Sequence, residues 1–394
     1  MKEYSDLKFK ERILMGPGPS NVNPRVLLSM SYPMIGHLDP DFLKITIEVQ
    51  ELLRWLFQTK NMFTIPISGT GSSGMETVFA NCFERGEKVI IGVNGVFGKR
   101  MCEVCEKYGI IPVKIEEEWG KPIKTEDILN TFKKNRDSSG IALVHGETST
   151  GVLQPLEDTG KICKENNLIF VVDTVTSLGG VPVKVDEWNI DACYSGTQKC
   201  ISCPPGLSPV TFSEKAVKKI KNRKSPIESW YLDMTMVEKY WSSERIYHHT
   251  APISMIFALR EALRIIFEEG LERRFARHKK NSNALIEGLK KMKIEPFVDE
   301  DFRLASLNSV KIPDGIDDVK VRKELLNTYN IEIGSGLGDL KGKIWRIGLM
   351  GESSSEKNVV YFLGALEEIL LKEGFLNSAG QGTAKALQFY SSFS

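Results

Sequence analysis

Apolar positions along the chain follow two spacings that alternate. Helical spacing runs through Ile45 to Phe57, Met75 to Phe83, Lys99 to Tyr108 and Leu156 to Asn166. Between these stretches lie short, almost wholly apolar runs: Phe63 to Ile67, Lys88 to Val93, Ile111 to Ile115, Ile141 to His145 and Leu168 to Asp173. Ala192 to Ser195 and Ser208 to Phe212 continue the series. Such a run suits a strand covered on both faces. Its alternation with amphipathic helices predicts a parallel α/β sheet.

The texture changes beyond residue 255. Ile256 to Phe267 and Leu271 to Met292 read as long helices, followed by a strand at Ala305 to Ile312, a helix at Val319 to Tyr329 and a strand at Ile344 to Gly348. Ser355 caps a last helix that carries Val359, Leu363, Leu366 and Leu370 on one face. This is the pattern of a smaller α+β unit. The chain therefore divides into an N-terminal arm (1–15), a large domain (16–270), a small C-terminal domain (271–375) and a tail (376–394). The tail is rich in Ser, Gly, Ala and Gln and is expected to be flexible. The stretch from Gly16 to Asn21, with two prolines and two glycines, suits neither helix nor regular strand.

Composition narrows the function. The 394 residues suit roughly two domains. A net charge of +1 supplies no basic field for nucleic acid. No apolar run reaches the ~18 residues that span a bilayer. The segment Met1 to Arg12 is charged, without an apolar signal core, and the C-terminal Ser-Phe-Ser is not a peroxisomal address, so no membrane contact and a cytoplasmic location are expected. Seven cysteines do not form a disulfide framework. Two C-x-x-C pairs, Cys102/Cys105 and Cys200/Cys203, would suit a zinc-bound scaffold, but they lie far apart in the chain. The five histidines (His37, His145, His248, His249 and His278) show no metalloenzyme spacing, so no metal is expected.

The chemistry gathers where strands end. Lys199 follows the strand Ala192–Tyr194, at the edge where α/β folds place ligands, and an amine there can form an imine with an aldehyde. Asp173 closes Leu168–Asp173. A carboxylate there can hold a protonated ring nitrogen, although alone it could equally cap a helix or bind a metal. The stretch Ser68 to Glu76 follows a strand and opens a helix, an arrangement suited to phosphate. Gly69, Gly71 and Gly74 match G-x-G-x-x-G, which keeps a nicotinamide-dependent dehydrogenase as a rival reading. The next strand, however, ends in Asn94-Gly95 rather than in an acid, and no Gly-Lys-Ser/Thr is present. A phosphate cup for a smaller cofactor fits better. Phe97, between Gly95 and Gly98, can lie on a planar ring or fill the core. Arg346, within an apolar strand, calls for a substrate carboxylate or an internal salt bridge.

Seven motifs occur in a characteristic order: Met15-Gly-Pro-Gly-Pro-Ser-Asn21, Ser68-Gly-Thr-Gly71, His145-Gly-Glu-Thr-Ser-Thr-Gly151, Val172-Asp-Thr-Val-Thr-Ser-Leu-Gly179, Tyr194-Ser-Gly-Thr-Gln-Lys199, Tyr247-His-His-Thr250 and Arg346-Ile-Gly-Leu-Met-Gly351. The series resembles the class V aminotransferases, in particular the alanine–glyoxylate/serine–pyruvate (serine–glyoxylate) group, from about residue 12 to 372. The resemblance implies a fold type I enzyme dependent on pyridoxal 5'-phosphate (PLP), with a mostly parallel seven-stranded sheet, working as a homodimer with shared active sites. Lys199 would hold the cofactor as a Schiff base and Asp173 its ring nitrogen. Ser149 would lie near the ring oxygen, Val175 under the ring and Phe97 against it. Thr70, Gly71, Ser72 and Gln198 would surround the phosphate, joined by Tyr247 and Thr250 of the second subunit. Arg346 would clamp the substrate carboxylate, with Ser20, Asn21, Gly36 and His37 lining the pocket.

The implied reaction is a ping-pong transamination from alanine or serine to glyoxylate or pyruvate, with Lys199 moving the proton. Phe97 and Ser72 stand where animal members commonly carry tryptophan and often histidine. His37 and Tyr247 look more like the alanine/serine type than the ureidoglycine type. Ureidoglycine or hydroxykynurenine transamination, and a desulfurase using Cys200 or Cys203, are the alternatives within the class.

Overall fold

The computed structural model describes residues 4–8 and 10–392. Its centre is a seven-stranded sheet built from β1 (Phe63–Ser68), β2 (Lys88–Val93), β3 (Ile111–Glu116), β4 (Ser138–Val144), β5 (Ile169–Asp173), β6 (Ala192–Tyr194) and β7 (Leu207–Phe212). The spatial order is β1-β7-β6-β5-β4-β2-β3. Only β7 runs antiparallel to its neighbours. Every residue of β5, β6 and β7 is buried, as the unbroken apolar runs require of a sheet covered on both faces.

Helix α1 (Pro40–Phe57) packs on β1, α2 (Gly71–Cys82) on β6 and β7, and α3 (Val96–Lys107) on β2 and β3. Asp39 caps α1 through the Asp41 N–H, with Pro40 at the first helical position, where its missing N–H costs nothing. The helix therefore begins earlier than apolar spacing alone indicates.

Helix α4 (Ile253–Glu269) ends at Gly270, whose φ of 80° turns the chain into α5 (Leu271–Lys291). A three-stranded antiparallel sheet follows, with β8 (Leu307–Lys311) and β9 (Gly334–Ser335) flanking β10 (Ile344–Gly348). It shares a core with α5 and α6 (Glu356–Lys372), in which Leu289, Val310, Trp345, Ile347, Phe362 and Leu366 are fully buried. Each such side chain contributes about 1.5–3 kcal/mol relative to exposure.

The end of the N-terminal arm joins this second core. Ile13–Leu14 pairs in parallel with Ile331–Glu332, and Met15 is buried beside Ile333 and Ile347. The Gly348 N–H donates to the Met15 carbonyl at 2.7 Å, and a Cβ on Gly348 would collide with the Gly16 carbonyl. The irregular segment Gly16–Asn21 is thereby drawn across the ends of the central strands.

The expectation of a flexible tail is corrected. Residues Gln381–Ser391 form α7, packed on α5 and α6. Gly382, Ala386 and Tyr390 make a buried stripe at i, i+4 and i+8. The carboxylate of Glu367 accepts the Gly382 N–H at 2.6 Å and the Thr383 hydroxyl at 2.7 Å. Small residues that read as linker composition are what lets α7 approach α5 closely: a Cβ on Gly382 would lie 2.7 Å from the Gly288 carbonyl oxygen. Residues 393 and 394 lie outside the described part.

Candidate active site

Strand ends at one edge of the large sheet deliver the site. Strand β6 leads into Ser195–Lys199, β5 ends in Asp173, β4 runs into the hairpin Gly146–Leu153, and β1 and β2 lead into α2 and α3. This is the edge at which open α/β sheets bind ligands.

Lys199 is half-buried beneath the N-terminal turn. Its ammonium donates to the Pro17 carbonyl in a short hydrogen bond, and a Cβ on Gly18 would lie 2.5 Å from Nζ. Glycine there, at φ 104°, leaves the amine its room. The Ser20 hydroxyl donates to the Lys199 carbonyl at 2.8 Å. Burial, and then the nearby positive charge of Arg346, bring the Lys199 amine down to about 8.

Asp173 is 2% exposed and accepts the Val175 N–H at 2.8 Å. Burial pushes its carboxyl up to about 7, against the pull of its donors. A carboxylate so poised waits for a cation. Arg346 is 5% exposed on β10, with Nε donating to the Ser335 carbonyl at 2.7 Å and Nη1 to the Thr148 carbonyl at 3.0 Å. Among the described residues it has no ion-pair partner, so the internal salt bridge is not formed. Burial lowers it to about 10.

At the start of α2, Thr70 takes the N-cap position without a side-chain hydrogen bond to the helix. Thr70 and Ser72 are exposed and Gly71 is buried, where a Cβ would lie 2.9 Å from Val175 Cγ2. The backbone thus packs directly on Val175, and the first-turn N–H groups suit an anion. Gln198 Oε1 is buried without a hydrogen-bond partner.

Phe97 lies in the first turn of α3, with the Arg100 guanidinium 4.9 Å from its ring centre. Its N–H, and the Ser149 hydroxyl, meet a residue to which sequence patterning assigned no role of its own. Glu147 is fully buried and accepts from Ser149 Oγ at 2.6 Å and from the Phe97 N–H at 3.1 Å.

Other expected residues serve the backbone around this cluster or stand at the surface. Asn21 accepts the Leu14 N–H and donates to the Arg12 carbonyl, both at 2.8 Å, so its amide ties down the arm. The Ser20 hydroxyl serves the Lys199 backbone. Gly36 is exposed just before α1. The rings of His37 and Tyr247 lie 5.2 Å apart, with Tyr247 56% exposed and Thr250 also exposed. No hydrogen bond joins Tyr247 or Thr250 to Thr70, Gly71, Ser72 or Lys199 among the described residues. All seven cysteines are buried free thiols.

The family model of the class V aminotransferases matches residues 27–340. This chain belongs to the class V aminotransferase family. The (S)-ureidoglycine–glyoxylate transaminase of Bacillus subtilis (strain 168) is 43% identical, covering 96% of this chain and 95% of the relative. The alanine–glyoxylate aminotransferase of Drosophila melanogaster is 38% identical over 92% of this chain and 93% of the relative. A crystal structure of an alanine–glyoxylate aminotransferase from Nostoc sp. superposes with a TM-score of 0.92 at 46% identity, covering 94% of this chain and 98% of that one.

The resemblance drawn from the motifs is therefore correct, and the protein is a PLP-dependent aminotransferase. The residues fit that cofactor. The buried Asp173 carboxyl without an ion-pair partner, the first-turn N–H groups of α2 left without a side-chain cap, and the surface where Gly71 meets Val175 are features that a phosphorylated, ring-protonated ligand satisfies.

Proposed function

We propose that this aminotransferase moves the amino group of alanine or serine to glyoxylate or pyruvate, with Lys199 as the cofactor-bearing and proton-moving residue. The observation that carries the reading is the Lys199 amine beneath the N-terminal turn at the sheet edge, together with a buried Arg346 that has no ion-pair partner among the described residues. When bound, PLP supplies the aldehyde that takes the amino group and the ring that withdraws electrons from the substrate's α-carbon. Asp173 is suited to hold the ring nitrogen, Thr70, Gly71, Ser72 and Gln198 the phosphate, and Ser149, Val175 and Phe97 the ring.

This chain's own groups do the rest. With two N–H groups fixed on the Ser335 and Thr148 carbonyls, Arg346 keeps others for a carboxylate, which it can grip bidentately. Lys199, lowered to about 8, has an appreciable neutral fraction near neutral pH. It can take the proton from the substrate's α-carbon and would return it two atoms away, at the carbon that PLP supplies as its aldehyde.

The 43% identical Bacillus relative favours a second reading, ureidoglycine as donor. His37 and Tyr247, which look more like the residues of the alanine/serine type, favour the first reading. The test is the visible spectrum of the PLP-loaded protein. Bleaching of the yellow band by L-alanine or L-serine and its return with glyoxylate support the proposal. A band that answers only to ureidoglycine transfers the assignment to the second reading.

The working unit in this proposal is a homodimer. Exposed Tyr32, Met34, Trp230, Ile246 and Tyr247 support it, because so much exposed aromatic and aliphatic surface marks an interaction face. Tyr247 and Thr250 would then serve the second subunit's phosphate site. A cytoplasmic location is supported by seven unpaired cysteines. No helix among the described residues is long and apolar enough to cross a membrane.

A further inference from the structure

Glu147 is a fully buried acid that the reaction scheme leaves without work. It sits on a two-residue strand, Gly146–Glu147, paired with Val152–Leu153. Its Oε1 accepts the Ser149 hydroxyl at 2.6 Å and the Ser149 N–H at 3.0 Å. Its Oε2 accepts the Phe97 N–H at 3.1 Å and the Gly98 N–H at 3.3 Å. Burial pushes its carboxyl above the usual glutamate range, but four donors and no acceptor surround it and oppose that shift, which is the hydrogen-bonding environment of a carboxylate. Three of the donors are backbone N–H groups, and two of those belong to the first turn of α3, where the helix dipole favours negative charge.

Gly95 and Ser149 complete the arrangement. The N-cap Gly95 offers no side chain to its helix, and a Cβ there would collide with Glu147 Cγ and Cδ. The Val96 N–H donates instead to Ser149 Oγ at 2.9 Å. The start of α3, which carries Phe97, is thus capped from another element, by Glu147 and Ser149 together. A serine hydroxyl has one proton and two lone pairs. The proton goes to Glu147 and one lone pair to Val96. What Ser149 has left for a bound molecule is a single lone pair.

We infer that Glu147 is a positioning residue of the active site: it orients the Ser149 hydroxyl as a hydrogen-bond acceptor toward the cofactor and holds the first turn of α3, with Phe97, in place. The inference rests on the PLP reading of the site and adds a residue to it. Thr148, next in the chain, gives its carbonyl to Arg346, so the same short hairpin also supports the carboxylate clamp.

The experiment titrates PLP into cofactor-free wild type, Glu147→Gln, Ser149→Ala and the double variant, recording dissociation constant, visible-band maximum and melting temperature. Glu147→Gln keeps the shape but places an amide donor among four donors. PLP affinity should fall by roughly tenfold or more, the scale of one lost charge-assisted hydrogen bond, and the band maximum should move. Because Glu147 acts through Ser149, the double variant should be scarcely weaker than Glu147→Gln alone. Unchanged affinity and band maximum with only a lowered melting temperature, or fully additive losses, would overturn the inference and leave Glu147 a helix cap. Wild type that takes up no PLP would overturn the cofactor reading itself, a separate outcome. Should Glu147→Gln fail to fold, Gly95→Ala displaces the carboxylate together with the Ser149 hydroxyl, each within 2.5 Å of the added Cβ, without removing the charge. It should show the same loss, and wild-type PLP binding by that variant would equally overturn the proposal.

Discussion

At the scale of single residues, burial moves the site's ionisable groups toward their neutral forms. Asp173 shows the cost. Its carboxyl, raised to about 7 by burial, binds a proton in the folded cofactor-free protein that the unfolded chain has already lost. Its stabilising contribution is complete below the ordinary aspartate range near 3.8 and is lost as pH rises through about 7. Asp173→Asn should therefore stabilise the cofactor-free protein at pH 8 by a few kcal/mol, while sharply lowering transaminase activity. Thermal unfolding of the cofactor-free pair at pH 4 and pH 8 checks it, since the difference between variants should shrink at the lower pH.

Lys199 has the opposite sign. Its amine, lowered to about 8, makes the folded protein release a proton that the unfolded chain keeps up to its ordinary 10.5. Stability of the cofactor-free protein should rise with pH across that window, and Lys199→Ala should remove the rise. The same substitution should abolish measurable transamination, and turnover at the wild-type rate would exclude Lys199 as the proton carrier. Arg346→Ala should raise the oxo-acid KM by roughly tenfold or more, the scale of a lost bidentate carboxylate pair, in steady-state assays.

At the scale of elements, legibility in the sequence followed the number of apolar repeats. Strands β2 and β10 and helix α6 lie where the pattern puts them, because each carries a continuous run or four apolar positions on one face. Short helices such as Thr125–Lys134 and Glu214–Lys221 were not assigned, because each carries its apolar period for only about one repeat. Each buries only two residues, Ile128 and Phe132 in one, Ala216 and Ile220 in the other. Helix α7 was misread for a related reason, since its stripe is made of Gly, Ala and Tyr. Tyr390, nearly buried and donating to Asn281 at 2.9 Å, makes a direct test. Tyr390→Ala should cost about 3 kcal/mol in urea unfolding while leaving the PLP spectrum of the folded protein unchanged.

At the scale of the whole molecule, the proposed homodimer makes the exposed Tyr247 and Thr250 donors to a second subunit. If the site is shared, mixing Lys199→Ala with Thr250→Ala under subunit exchange should restore activity to about a quarter of wild type, because half of the dimers are mixed and each has one intact site. Activity that stays at the sum of the two separate variants would place both residues in one subunit's site.

The sequence by itself determined what neighbouring residues can express: the period of each long element, the turns that need glycine, and the placing of Lys199, Asp173 and the glycine-rich start of α2 at strand ends, where they are candidates for the site. These depend on spacing within a dozen residues or so, where backbone geometry leaves few choices. Only the tertiary structure decided which groups meet. Thr148 and Arg346 are 198 residues apart, and their hydrogen bond depends on how the hairpin after β4 meets the second core. Whether Asn21 faced a substrate or tied down the arm depended on the pairing of Ile13–Leu14 with Ile331–Glu332. Glu147 became visible as a separate actor only when folding set it against the start of α3. Local sequence carries propensity, but the partner of a buried charge is chosen by packing, which brings distant segments together and leaves each polar group to find its counterpart there.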